Sequence, residues 1–225
     1  MTRVLGVDGA GRYWVAVASD MRAYADLTLT GLLAAASAEG PVEVIGVDIP
    51  IGLPASNEPR LADRLAREAV GPRWRSVFVT PPRRVLDAET YEAAGQVARR
   101  MTGKGISRQA WALKQRILEA DLTVRSDTWR VVEVHPEVSF VTMAGRYLPA
   151  PKSTWAGLED RRRLLETAGI SLPADLGPPG FVAGADDVLD AAVACWTAGR
   201  VLTGSAQRYP DPPQVLDGMV ACIHA

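Results

Sequence analysis

Little in this 225-residue chain points to the commoner kinds of site. It has only two cysteines, Cys195 and Cys222. They form no metal-spaced pair and no disulfide framework, which excludes a zinc ribbon and a disulfide-stapled scaffold. There is no apolar run long enough to span a membrane, and Met1-Thr2-Arg3 leads directly into a strand-like run with no signal peptide in view. A cytoplasmic location is therefore expected. The formal net charge is −1, so the chain as a whole has no bias toward a polyanion. No Ser/His/Asp or Cys/His nucleophile signature is present. Gly103-Lys104-Gly105 lacks the upstream glycine of a phosphate-binding Walker loop, since Ala98 stands there. The bulk composition, 48% hydrophobic and 23% charged, is that of a soluble globular chain with room for one large domain.

What the chain does have is carboxylates at the ends of apolar runs. Val4, Leu5 and Val7 are strand formers, and the run ends in Asp8 followed by Gly9. Asp-Gly is also a common turn pair, so Asp8 taken alone reads more simply as a hairpin opener. The pattern recurs, however: Val44-Ile45-Gly46-Val47-Asp48 repeats Val4-Leu5-Gly6-Val7-Asp8. Tyr13–Ala18 and Ala23–Leu29 read as the second and third strands of a meander, and residues 30–38 as a helix. The nearly continuous apolar run from Val42 then reads as a parallel neighbour of the first strand. Asp8 and Asp48 are expected at the same sheet edge.

Residues from about 55 to 127 change character, with helical spacing at Leu61 and Leu65 and again at Ala110, Leu113 and Ile117. Between Pro59 and Arg130 there are 15 Lys/Arg against 8 Asp/Glu, whereas the rest has 10 against 18. This stretch is expected to be a basic helical insertion between the fourth and fifth strands of a single domain spanning 1–225. A basic arm beside an acidic site suits a polyanionic substrate, though solvated helix faces give the same imbalance. Trp129–Glu137 reads as the returning strand, with Glu133 inside it. Residues 154–168 read as a helix with Arg161 to Arg163 outside. From Gly184 a helix begins with Asp186, Asp187 and Asp190; Asp187 and Asp190 share a face that continues into Ala191 and Ala194. Residues from Asp211 read as loop, with a short final strand over 218–223.

Asp8, Asp48, Glu133, Asp187 and Asp190 thus offer hard oxygen ligands from four places, a set that selects Mg²⁺ or Mn²⁺ over zinc. They could not all stay ionised together without a cation. Such ions, commonly as a pair, serve phosphodiester hydrolysis.

The order strand-Asp, hairpin strands, helix, strand-Asp, strand-Glu, terminal helix with Asp187-x-x-Asp190 resembles the ribonuclease H-like fold and the last helix of Holliday-junction resolvases. More closely, the chain resembles a domain-of-unknown-function family described as predicted nucleases of that fold. The residues that carry this resemblance are Gly6-Val7-Asp8, residues 48–54 (DIPIGLP), 75–78 (RSVF), 103–107 (GKGIS) with Gln109, 133–137 (EVHPE) and 185–191 (ADDVLDA). The resemblance implies an α/β fold with a mixed five-stranded sheet of order 3-2-1-4-5 flanked by helices. It also implies Asp8, Asp48, Asp187 and Asp190 as metal ligands, with Asp186 as the stand-in for Asp187. Glu133 departs from the simplest ribonuclease H pattern and faces either the site or an arginine. Arg75, Arg83, Lys104, Gln109 and His135 are the expected substrate contacts, and His135 could equally cap a helix. The expected activity is a metal-dependent nuclease; nucleic acid, DNA or RNA, is the expected partner, and a homodimer is compatible with the chain. The competing readings are a phosphotransferase or nucleotide hydrolase of the actin-like type, and a non-catalytic binding module on the same fold.

Overall fold

A computed structural model describes residues 2–225. Its strands are β1 (Arg3–Ala10), β2 (Tyr13–Ala18), β3 (Ala23–Asp26), β4 (Val42–Val47), β5 (Val131–Val134), β6 (Arg208–Leu216) and β7 (Met219–His224). Its α-helices are α1 (Leu29–Ala38), α2 (Leu61–Ala69), α3 (Arg83–Leu86), α4 (Tyr91–Thr102), α5 (Arg108–Ala112), α6 (Lys114–Arg125), α7 (Pro136–Ala144), α8 (Trp155–Thr167) and α9 (Ala185–Leu202). The strands form one sheet of order β3-β2-β1-β4-β5-β7-β6. β1, β4, β5 and β7 run parallel, while β2, β3 and β6 run antiparallel to their neighbours.

The 3-2-1-4-5 core order is as expected, with α2 to α6 inserted between β4 and β5. The far edge is not: the stretch read as loop and short strand is the hairpin β6–β7. Pro210, Pro212 and Pro213 hid it, because proline cannot donate to a ladder and argues against a strand. They are tolerated because β6 is the outermost strand and its register slips between Tyr209 and Gln214. The first helix begins at Leu29, one residue earlier than expected, with Thr28 as its cap, and Thr90 caps α4.

Alternation along the central strands decides which side chains meet which layer. Leu5, Val7, Ile45 and Val47 pack into a core shared with α1 and the insertion. Val4 and Val44 face the other way, against Cys195 and Ala198 of α9. Gly6 and Gly46 are paired in register and lie on that same face. A Cβ on Gly6 would stand 2.0 Å from the Ala191 carbonyl, and one on Gly46 2.7 Å from that of Ala194. α9 therefore lies directly on the backbones of β1 and β4, an approach that only glycine in the strands permits.

Candidate metal centre

The same alternation builds the site. Asp8 is two residues beyond Gly6 and Asp48 two beyond Gly46, so both carboxylates emerge on the α9 face of the sheet. Asp48 follows the last residue of β4, and its N–H donates to the Val7 carbonyl at 2.9 Å, which fixes it beside Asp8. On α9, Asp190 immediately precedes Ala191, the residue pressed onto Gly6. One carboxylate oxygen from each of Asp8, Asp48 and Asp190 lies within 4.8 Å of the other two. Asp8 and Asp190 are buried and Asp48 is partly so.

Three carboxylates this close resist ionisation together. Burial, with Asp48 and Asp190 adjacent, pushes Asp8 well above the usual carboxylate range, against the pull of Lys152 and of the Gly9 N–H at 2.7 Å. Burial pushes Asp48 up to about 7, with Lys152 opposing. Asp190 likewise reaches about 7 through burial, with Asp48 and Glu137 adding to it and Lys152 opposing. A cluster of hard oxygen donors in excess of local positive charge could hold a metal ion.

One cation is already built in. Lys152 Nζ lies 2.5 Å from Asp190 Oδ2 and 3.6 Å from Asp186 Oδ2. Burial works against its charge, but Asp190, Asp8 and Asp48 hold Lys152 above the ordinary lysine range. The loop that carries it is pinned to α8. A Cβ on Gly157 would stand 1.9 Å from the Pro151 carbonyl, so glycine lets loop and helix touch. Arg161 Nη1 reaches the Ala150 carbonyl at 3.3 Å. Arg161 is not outside as its place in an Arg-Arg-Arg run implies. It is buried, and its Nη2 lies 2.5 Å from Glu137 Oε1. Nothing in the sequence marked Lys152, which sits in an aperiodic stretch between Pro151 and Ser153.

The remaining acids stand outside the three-carboxylate cluster. Asp187 lies outside the three-carboxylate cluster; its Oδ2 accepts the Gly184 N–H at 3.1 Å and caps α9. Glu133 pairs in register with Val47 and so points to the sheet face opposite α9. There it is held by Arg60 and by the Ile51 N–H at 2.8 Å. Arg60 also donates to Asp63 and Thr80, both at 2.8 Å.

Asp8 and Asp48 line a cavity of about 120 Å³ together with Ser76, Gln109, Arg116 and His135, and Glu133 and Asp63 reach its wall as well. Ser76 Oγ and His135 Nδ1 are both buried without a hydrogen-bond partner among the described residues, the condition that a bound polar group would relieve. Burial lowers the His135 pKa, so the ring is neutral near pH 7. Arg116 donates to the carbonyls of Gly11 and Tyr13 and crosses Gly9, where any side chain would collide with it. Of the other expected contacts, Arg75, Lys104 and Gln109 line a larger adjoining cleft. Arg83 is tied to Asp121 at 2.7 Å and Asp217 at 3.1 Å, which commits it to joining α3, α6 and the β6–β7 turn. Among the described residues no helix is long and apolar enough to cross a membrane.

A family model described as "Protein of unknown function (DUF429)" matches residues 6–215. No curated protein and no solved structure matches the chain. The sheet order is consistent with the ribonuclease H-like fold.

Proposed function

The chain belongs to the DUF429 family of proteins of unknown function, and we propose that its acidic centre is that of a Mg²⁺- or Mn²⁺-dependent phosphodiester hydrolase acting on nucleic acid. One observation carries this reading: carboxylates from β1, the end of β4 and the start of α9 present oxygens within 4.8 Å of one another on one sheet edge. Asp8, Asp48 and Asp190 would hold the cation. A cation held there would supply polarisation of a phosphoryl oxygen and a lowered pKa for its bound water.

The chain's own groups supply the rest. Lys152 fixes one positive charge against Asp190, beside the carboxylates that would hold the cation. With His135 Nε2 3.4 Å from the Ser76 carbonyl, its tautomer with Nε2–H donating leaves the unpartnered Nδ1 with a free lone pair. A neutral imidazole so placed accepts a proton from an attacking water. Arg116, on the cavity wall, offers a guanidinium to the phosphate. Fold alone does not fix activity; the support is the convergence of these groups.

The test is incubation of the full chain with Mn²⁺ and labelled single-stranded, double-stranded and branched substrates, with ATP alongside. Strand cleavage that Asp48→Asn lowers by about 10³-fold, an activation difference of about 4 kcal/mol, supports the reading. Phosphate release from ATP alone would favour the nucleotide-hydrolase reading, and inactivity on all of them a binding module.

A further inference from the structure

The small acidic cavity opens beside a much larger one. This cleft, about 590 Å³, shares Phe78, Thr80 and Gln109 with the acidic cavity, so a single wall of side chains joins the two. Its volume lies within the roughly 300–1,000 Å³ of pockets that enclose a small organic group. Two apolar side chains on its lining are exposed, Trp74 by 45% and Val79 by 53%. An indole left open to water is informative when cations surround it. The guanidinium of Arg75 stands 4.9 Å from the Trp74 ring centroid and that of Arg67 5.6 Å. Arg67 is anchored by its Nε–H to the Val77 carbonyl at 2.8 Å and so braces the ring. Lys104 adds a third positive charge to the lining, against one acid, Glu58.

Resting on the phosphodiester-hydrolase reading, we infer that this cleft seats an unpaired nucleotide of a single-stranded nucleic acid, its base against Trp74 and Val79 and its phosphates against Arg75 and Lys104. An aromatic face among basic side chains is the pairing of features that binds single strands irrespective of sequence. A duplex offers its phosphates but keeps its base faces stacked, and entering a concave pocket would require unstacking one base. Chain continuing from the cleft past Gln109 brings a phosphodiester toward Asp8 and Asp48.

Binding is measured on the full-length Asp48→Asn variant in EDTA, by fluorescence anisotropy, with labelled single-stranded DNA, single-stranded RNA and the matched duplexes. Single strands of one or both kinds bind at least tenfold tighter than duplexes. Trp74→Leu weakens that binding about tenfold, the loss of stacking on one base. Arg75→Ala/Lys104→Ala makes the log–log salt dependence shallower by about 1.4, for two lost phosphate contacts. All three side chains are exposed, so the fold tolerates their removal. Ultraviolet cross-linking of a 5-bromouracil strand maps to Trp74. Duplex binding as tight as single-strand binding, or wild-type affinity in both variants, would overturn the cleft assignment. Neither readout needs hydrolysis. Tight single-strand binding without metal-dependent cleavage would sink the hydrolase reading alone, and cleavage unchanged in both variants would sink the cleft alone.

Discussion

Two groups of buried acids flank the parallel strands, and they are built to opposite ends. On the insertion side, Glu133 and Asp63 close around Arg60. Every contact there is specific: Arg60 donates to both acids, to Thr80 and to the Ile51 carbonyl, while the Ile51 and Thr80 N–H groups donate to Glu133 and Asp63. On the α9 side, Asp8, Asp48 and Asp190 face one another with the half-exposed Lys152 as their only close ammonium among the described residues. The first group is closed by fixed donors, its two carboxylates sharing one guanidinium and each accepting a backbone N–H. The second is short of positive charge, which is useful only if something arrives to supply it. The same residue type, one to two strands apart in one sheet, is structural in one place and poised to bind in the other, and the difference is the number of fixed donors.

The largest effect separating the two regions is on stability. Arg60→Met strands two buried carboxylates and is expected to cost about 3–5 kcal/mol, lowering Tm by roughly 10 °C. Asp48→Asn, by contrast, relieves repulsion and leaves metal-free stability unchanged or higher. Thermal unfolding of both variants in EDTA checks the pair; equal losses would mean that the two clusters do not differ in kind.

pH sharpens the contrast next. Asp48 and Asp190 titrate near 7 in the fold, above their unfolded values near 4. The folded state therefore binds more protons than the unfolded state in that window, and metal-free stability falls as pH rises from about 4 to 7. Each of the two groups contributes up to about 4 kcal/mol to that fall. Saturating Mn²⁺ offsets it above pH 7, since a ligand for the folded state adds stability by mass action. Urea unfolding at pH 5 and pH 7.5, with and without Mn²⁺, measures both; a metal-free chain more stable at pH 7.5 contradicts the assignment.

A smaller effect isolates Lys152. Lys152→Met removes the cation that competes for Asp190, so Mn²⁺ affinity rises about tenfold, or ~1.4 kcal/mol, while cleavage falls. A variant with weaker metal binding would show that Lys152 orders the carboxylates instead of substituting for a charge.

The repeated Gly-x-Asp ending of two apolar runs carried most of the site in plain sight. Period-two alternation places Asp8 and Asp48 on the face where glycine admits α9, and Ala191 and Ala194 mark the matching helix face. Alternation also turns Glu133 away, because a residue paired with Val47 shares its face. Asp187 was ambiguous for a different reason: an acid in the first turn of a helix caps it or binds a ligand at the same spacing, and here it accepts the Gly184 N–H. Lys152 and Arg161 were out of reach. Their roles arise from one loop–helix contact permitted by Gly157, which no periodicity reports. β6 escaped notice because its three prolines are harmless only at an edge, and edge position is a property of the whole sheet.

The most direct test of the three-carboxylate centre is calorimetric titration of Mn²⁺ into the wild-type chain and into Asp8→Asn at pH 7.5. A single saturable site in the wild type that is lost or at least tenfold weaker in Asp8→Asn is the predicted result. No saturable binding to the wild type, or the same affinity in both, would contradict it.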